Sequence, residues 1–164
     1  MAGWTTGWVR RHLRFAMNCW PPLLFAGIRI TRFDQDFRAV DVELREHWWN
    51  RNYVGTHFGG SMYAMTDPFY MLMMIENLNG GVQRAASSAR KYVVWDKAAS
   101  IRYRKPGRGT VRAEFRLSAA EVEGVRAALE VAPKLERTYS VRVVDAAGET
   151  VAEVEKVLHF RRLE

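Results

Sequence analysis

Hydrophobic and polar positions change period several times along this chain, and each change marks an element. From Thr5 to Trp20 the apolar positions Trp8, Val9, Leu13, Ala16, Met17 and Trp20 recur at helical spacing with Arg10, Arg11 and Arg14 opposite. That spacing predicts an amphipathic helix ended by a Pro21-Pro22 turn. Leu24 to Phe33 and Phe37 to Leu44 alternate around Asp34-Gln35-Asp36, as two antiparallel strands do. After an irregular stretch from Glu46 to Phe58, Gly59-Gly60 opens a run to Leu78 that is apolar on almost every face. A helix of that kind must be wrapped by other structure, and Asn79-Gly80-Gly81 ends it.

The second half alternates again. Lys91 to Lys105 and Thr110 to Leu117 are strand candidates joined by Pro106-Gly107-Arg108-Gly109. Ser118 with Glu121 is a capping-box pattern, and Val122, Val125 and Leu129 keep helical spacing until Pro133. Glu136 to Val144 and Thr150 to Phe160 form a closing hairpin around Asp145 to Gly148. A curved antiparallel sheet wrapped around a long central helix satisfies this inventory. The expectation is an α+β hotdog fold, with residues 1–164 as a single domain, an N-terminal helix and Pro-Pro turn over residues 1–22, and the central helix over residues 59–78.

Composition narrows the classes. With 164 residues, 48% hydrophobic and 26% charged, the chain has the bulk and make-up of one globular domain, which excludes collagen-like, disordered and disulfide-stapled proteins. The longest stretch lacking charged residues, Asn52 to Thr66, is shorter than a bilayer crossing needs, so no stable membrane insertion is expected. The arginine-rich start does not read as a secretory signal, and the expected location is cytoplasmic. Cys19 is the only cysteine and the four histidines are scattered, so no metal is expected. A net charge of +7 favours anionic partners. Basic residues concentrate from Arg84 to Arg116 among Tyr92, Trp95 and Tyr103, but no nucleic-acid-binding motif is matched, and a solvated basic sheet face is the simpler reading.

Asp67 is the residue that asks for chemistry. A carboxylate inside an apolar helix is costly without partners or water, and Pro68 after it removes a backbone donor, so a kink or polar gap is expected there. Upstream, Gly55-Thr-His-Phe-Gly-Gly60 leads into the helix N-terminus, where free N–H groups favour negative charge. Such a turn could hold an oxyanion while the carboxylate activates water. It could equally be a packing device, with Asp67 capping carbonyls that Pro68 frees.

The segment Asn52-Tyr-Val-Gly-Thr-His-Phe-Gly-Gly-Ser-Met-Tyr-Ala-Met-Thr-Asp67 resembles the site of phenylacetate-pathway-type acyl-CoA thioesterases. The stretches Trp48 to Ser61, Asp67-Pro-Phe-Tyr70, Val94-Trp-Asp-Lys-Ala-Ala-Ser-Ile-Arg102 and Lys105-Pro-Gly107 resemble a related, uncharacterised thioesterase-like hotdog family. The resemblance implies a cofactor-free hydrolase of acyl-CoA or a related thioester. Asp67 falls on its nucleophile or base, Asn52 on the residue that orients substrate or water, and Gly60 on the amide that polarises the carbonyl. Asp96 stands where many members place Ser or Thr. His57, Phe58 and Gly59 are candidates for substrate contact, as are Arg102, Arg104 and Lys105, whose charge suits the carrier's phosphates.

Two departures stand out. Phe58 replaces the family histidine, with His57 one place earlier, and Asp96 adds a second carboxylate that would share a proton with Asp67 if the two were close. A non-catalytic acyl-thioester binder is therefore kept as the alternative, with a hotdog dehydratase ranked last. The resemblance also implies at least a homodimer, with a homotetramer left open.

Overall fold

The computed structural model describes residues 12–34, 36–80 and 91–163. Helices α1 (Pro21–Ala26), α2 (Gly59–Ala64), α3 (Phe69–Asn79) and α4 (Ala119–Val131) accompany strands β1 (Ile28–Phe33), β2 (Ala39–Arg45), β3 (Tyr92–Tyr103), β4 (Thr110–Arg116), β5 (Lys134–Val144) and β6 (Thr150–Arg162). The strands form one sheet in the order β1-β2-β4-β5-β6-β3, with neighbours antiparallel. Its two halves meet only where Arg112 and Ala113 of β4 lie opposite Val144 and Val143 of β5.

The alternation read from the sequence sets the inward face. Val40, Val42 and Leu44 of β2, Val111, Ala113 and Phe115 of β4, and Ala152, Val154, Leu158 and Phe160 of β6 are buried in one core with Phe69, Met73 and Met74 of α3. No residue of α3 is exposed, as a helix apolar on every face requires. Its Phe69 and Tyr70 rings pack on Phe115 at 5.0 and 5.2 Å. Asn79, in its last turn, takes the Tyr92 amide on Oδ1 and gives Nδ2 to the Tyr92 carbonyl, which ties the helix to the start of β3. Ser118 caps α4 by accepting from the Glu121 amide at 3.0 Å.

Three expectations are corrected. The Pro21-Pro22 pair does not end a helix in a turn but begins α1, since proline's fixed φ and missing N–H suit a first helical turn. Leu24 to Ala26 are consequently helical, and strand β1 starts only after Gly27, whose φ of 82° closes α1. The central helix over residues 59–78 is not continuous: α2 stops at Ala64 and α3 resumes at Phe69. Pro68 follows a cis peptide and has no N–H to give. The Ala64 carbonyl accepts instead from the Asp67 amide at 3.2 Å, a tighter turn that breaks the helix.

The predicted N-terminal helix starts outside the described residues; residues 12–18 are helical. Asn18 lies along β1, accepting from the Ile30 amide at 2.7 Å and donating to its carbonyl at 3.1 Å, as a neighbouring strand would. This covers an otherwise open edge. A sheet curved around one helical axis is the hotdog arrangement.

Candidate active site

The break at residues 65–68 lifts Asp67 out of the helix, leaving its side chain 54% exposed while its neighbours Met65 and Thr66 are buried. Its carboxylate receives the ammonium of Lys156 at 2.5 Å. The same ammonium lies 3.0 Å from Oδ2 of Asp96 on β3. Lys156 occupies the inward row of β6 between Val154 and Leu158, and its side chain is only 3% exposed. A lysine is rarely so covered unless paired. The two carboxylates nominated from the sequence thus meet on a residue that the sequence reading did not nominate. The visible signal was a lysine within the apolar row Ala152, Val154, Leu158, Phe160.

Burial pushes the Asp96 carboxyl above its ordinary range, Lys156 pulls it back, and the nearby charge of Asp67 pushes the same way as burial. Its Oδ1 is buried with no partner among the described residues. Asp96 does not pair with the adjacent Lys97, which bonds Glu136 instead at 2.5 Å.

At the other end of α2 lies a cleft of about 460 Å³ lined by Asn52, His57, Gly59, Tyr103 and Lys105 among others. Asn52 is wholly engaged in its own loop: Oδ1 accepts from the amides of Val54 and Thr56, and Nδ2 donates to the Thr56 hydroxyl and the His57 carbonyl. His57 is 1% exposed and its Nε2 bonds the Gly109 carbonyl at 2.8 Å, which makes it a clamp between the loop and the Pro106 to Gly109 turn. Burial holds its imidazole below the usual value, so it is neutral with Nε2–H donating, and Nδ1 has no partner among the described residues.

The amides of Gly59 and Gly60 make no hydrogen bond among the described residues. A Cβ at Gly59 would lie 2.8 Å from Tyr103 Oη, and one at Gly60 would lie 2.3 Å from the Phe58 ring, so a side chain at either place would displace a ring. Tyr103 Oη also donates to the Gly59 carbonyl at 2.9 Å. Phe58 is 56% exposed and covers Gly60 from the solvent side. Of the basic candidates, Arg104 pairs with Glu153 and Lys105 with Asp145 and Glu149, all near the surface. Arg102 is exposed opposite Glu153.

The site residues therefore form two groups within the chain. Asp67, Asp96 and Lys156 stand at the C-terminal end of α2, and Asn52, His57 and the Gly59-Gly60 amides at its N-terminal end. Gly60 and Asp67 are seven positions apart, roughly 10 Å along a helix axis. Among the described residues no cluster of His, Cys, Asp or Glu suits a metal ion, and no helix is long and apolar enough to cross a membrane.

Comparison with known proteins agrees with this architecture. The family model described as a domain of unknown function, DUF4442, matches residues 10–160. The chain belongs to the DUF4442 family. Among solved structures, a protein of unknown function from Pseudomonas aeruginosa named a probable thioesterase superposes with a TM-score of 0.69 at 20% identity, over 96% of each chain. A Haemophilus influenzae thioesterase gives 0.62 at 11% identity, over 93% of this chain and 90% of that one. The Escherichia coli PaaI protein from the phenylacetic acid degradation operon gives 0.56 at 16%, over 98% and 95%. At these identities the likeness establishes a thioesterase-like hotdog fold. No match is found among the curated proteins.

Proposed function

We propose that this DUF4442 protein is an acyl-thioester hydrolase acting on acyl-CoA or a related ester in the cytoplasm. The observation that carries the reading is Asp67: a half-exposed carboxylate at the break between α2 and the covered helix α3, held in place by a buried ammonium. Asp67 takes a proton from water, the water oxygen adds to the thioester carbonyl, and the carbon–sulfur bond breaks as the thiolate leaves and is protonated. The free amides of Gly59 and Gly60 suit the oxyanion, and the Asn52 loop holds them in place. Arg102, Arg104 and Lys105 suit the carrier's phosphates, because exposed ion pairs exchange partners at little cost.

In this reading the two groups of residues are joined by a second copy. Strand β3 ends the sheet, and from Lys97 to Tyr103 it has no buried residue. Exposed Trp95, Tyr103 and Phe58 flank that edge. An uncovered edge of this kind favours pairing, and a two-fold dimer across it brings the Gly59-Gly60 turn of one protomer toward Asp67 of the other.

Thiol release from a panel of acyl-CoA esters, wild type beside Asp67→Asn, tests the reading. Turnover that disappears in the variant supports it; equal turnover in both removes Asp67 from the chemistry. The closure of Phe58 over Gly60 favours one second reading, a binder that has lost catalysis. Binding of CoA esters with no turnover at any chain length would establish that reading instead.

A further inference from the structure

We propose that Lys156 is a positioning residue that divides one proton between the two carboxylates, leaving Asp67 ionised at the surface and the proton on Asp96. Its part in turnover rests on the hydrolase reading above; the placement of the proton does not.

The argument begins with what a buried ammonium needs. Lys156 has three N–H donors in a row of apolar side chains, and such a charge persists only when paired. Its partners differ in their access to water. Asp67 is 54% exposed and can stay hydrated while it accepts the ammonium. Asp96 is 22% exposed, with one oxygen on Lys156 and the other buried and unpartnered among the described residues. A lone buried carboxylate oxygen disfavours the charged form. The charge of Asp67, held on the same ammonium, works against a second charge on Asp96. With a proton on Asp96, the trio is one anion, one cation and one neutral acid and carries no net charge.

The titratable groups facing Lys156 are few. Asp67 comes from the helix break, Asp96 from β3, and Tyr139 stands opposite on β5, its phenol donating to Glu121 of α4 and its p*K*a raised by burial. Tyr70 of α3 packs on Tyr139 and donates to the Ser140 carbonyl. The phenols stay neutral, so the array holds a single mobile proton. During hydrolysis Asp67 takes the proton of the attacking water and Asp96 gives its own to the departing thiolate. Asp67 then gives its proton to water at its exposed face and Asp96 regains one from water, which restores the starting state.

The test uses the full chain with ¹³C-labelled aspartate carboxyls, titrated by NMR in wild type, Lys156→Met and Lys156→Arg, alongside the pH dependence of kcat/KM on any accepted ester. In the wild type the Asp96 carboxyl stays protonated above the ordinary aspartate range. In the Met protein its titration moves up by about one unit or more, since an adjacent cation has gone. The acid limb of kcat/KM moves up as well, kcat falls about 100-fold, and KM stays within about threefold. The Arg protein regains the wild-type titrations and part of the rate.

Unchanged titrations in the Met protein, or a Met protein that loses only thermal stability while keeping its rate and pH limb, would overturn the proposal. If the Met protein does not fold, Lys156→Gln carries the same comparison. Because the titration needs no substrate, absence of turnover on every ester defeats the hydrolase reading and leaves this test of proton placement intact.

Discussion

Lys156 donates to Asp67 at 2.5 Å although 89 positions separate them in the chain. Strand β6 delivers the lysine from inside the sheet, and the gap between α2 and α3 delivers the aspartate from the helix. Without Asp67 the buried ammonium would keep only Asp96, and without Lys156 the carboxylate would be unanchored at a helix break.

The loop that presents the Gly59-Gly60 turn depends on Asn52. Replacing it with Ala removes bonds to Val54, Thr56 and His57 at 2.8 to 3.2 Å. The expected cost in a denaturant titration is about 1–3 kcal/mol, mostly from backbone groups left unsatisfied. Activity lost with no change in stability would instead place Asn52 on the reacting water.

His57 makes stability depend on pH. Its folded-state imidazole titrates below the ordinary 6.5, so the unfolded chain binds the extra proton between the two values. The stability it confers is fully present above the unfolded value and is lost as pH falls through that window. Denaturant midpoints measured from pH 7.5 to 5 should fall accordingly, and ¹⁵N NMR at pH 7 should show the neutral ring protonated on Nε2. An imidazolium signal at pH 7 would contradict the clamp.

The ion pairs of Arg104 and Lys105 are surface pairs that a phosphate can replace. In the hydrolase reading, the double substitution Arg104→Ala and Lys105→Ala raises KM for CoA esters about tenfold, the loss of one charge-assisted contact. Wild-type KM should rise with added salt, and kcat should hold. A KM that ignores both changes removes these side chains from the carrier site.

Gly27 is a test of the fold alone. Its φ of 82° and the 2.4 and 2.9 Å that a Cβ would leave to Asn50 Nδ2 and the Arg45 carbonyl exclude any side chain there. Gly27→Ala is expected to destabilise by about 1–3 kcal/mol, read from the denaturant midpoint. A neutral substitution would mean that the α1 to β1 junction is not as described.

Much of this architecture is legible along the chain, because it rests on local rules. Alternation in β2, β4, β5 and β6 names the inward residues, Ser118 and Glu121 mark the start of α4, and an all-apolar run demands a wrapped helix. The misreadings are local too: Leu24 to Ala26 suit a strand by pattern, yet Pro21 at the first helical position and Gly27 at the exit turn them into α1. Asp67 also announces itself, as a charge in an apolar helix followed by proline.

What the chain cannot show locally is which groups meet. Lys156 reads as one polar position in a strand, Asp96 as a second carboxylate of unknown distance from Asp67, and His57 as a candidate substrate contact beside a glycine turn. Only the sheet order, with β3 beside β6 and the helix break above them, sets Asp96 and Asp67 on one ammonium and buries His57 against Gly109. Secondary structure follows from periodicity over a few residues, whereas the charge state of a carboxylate follows from the burial and partners that distant segments supply.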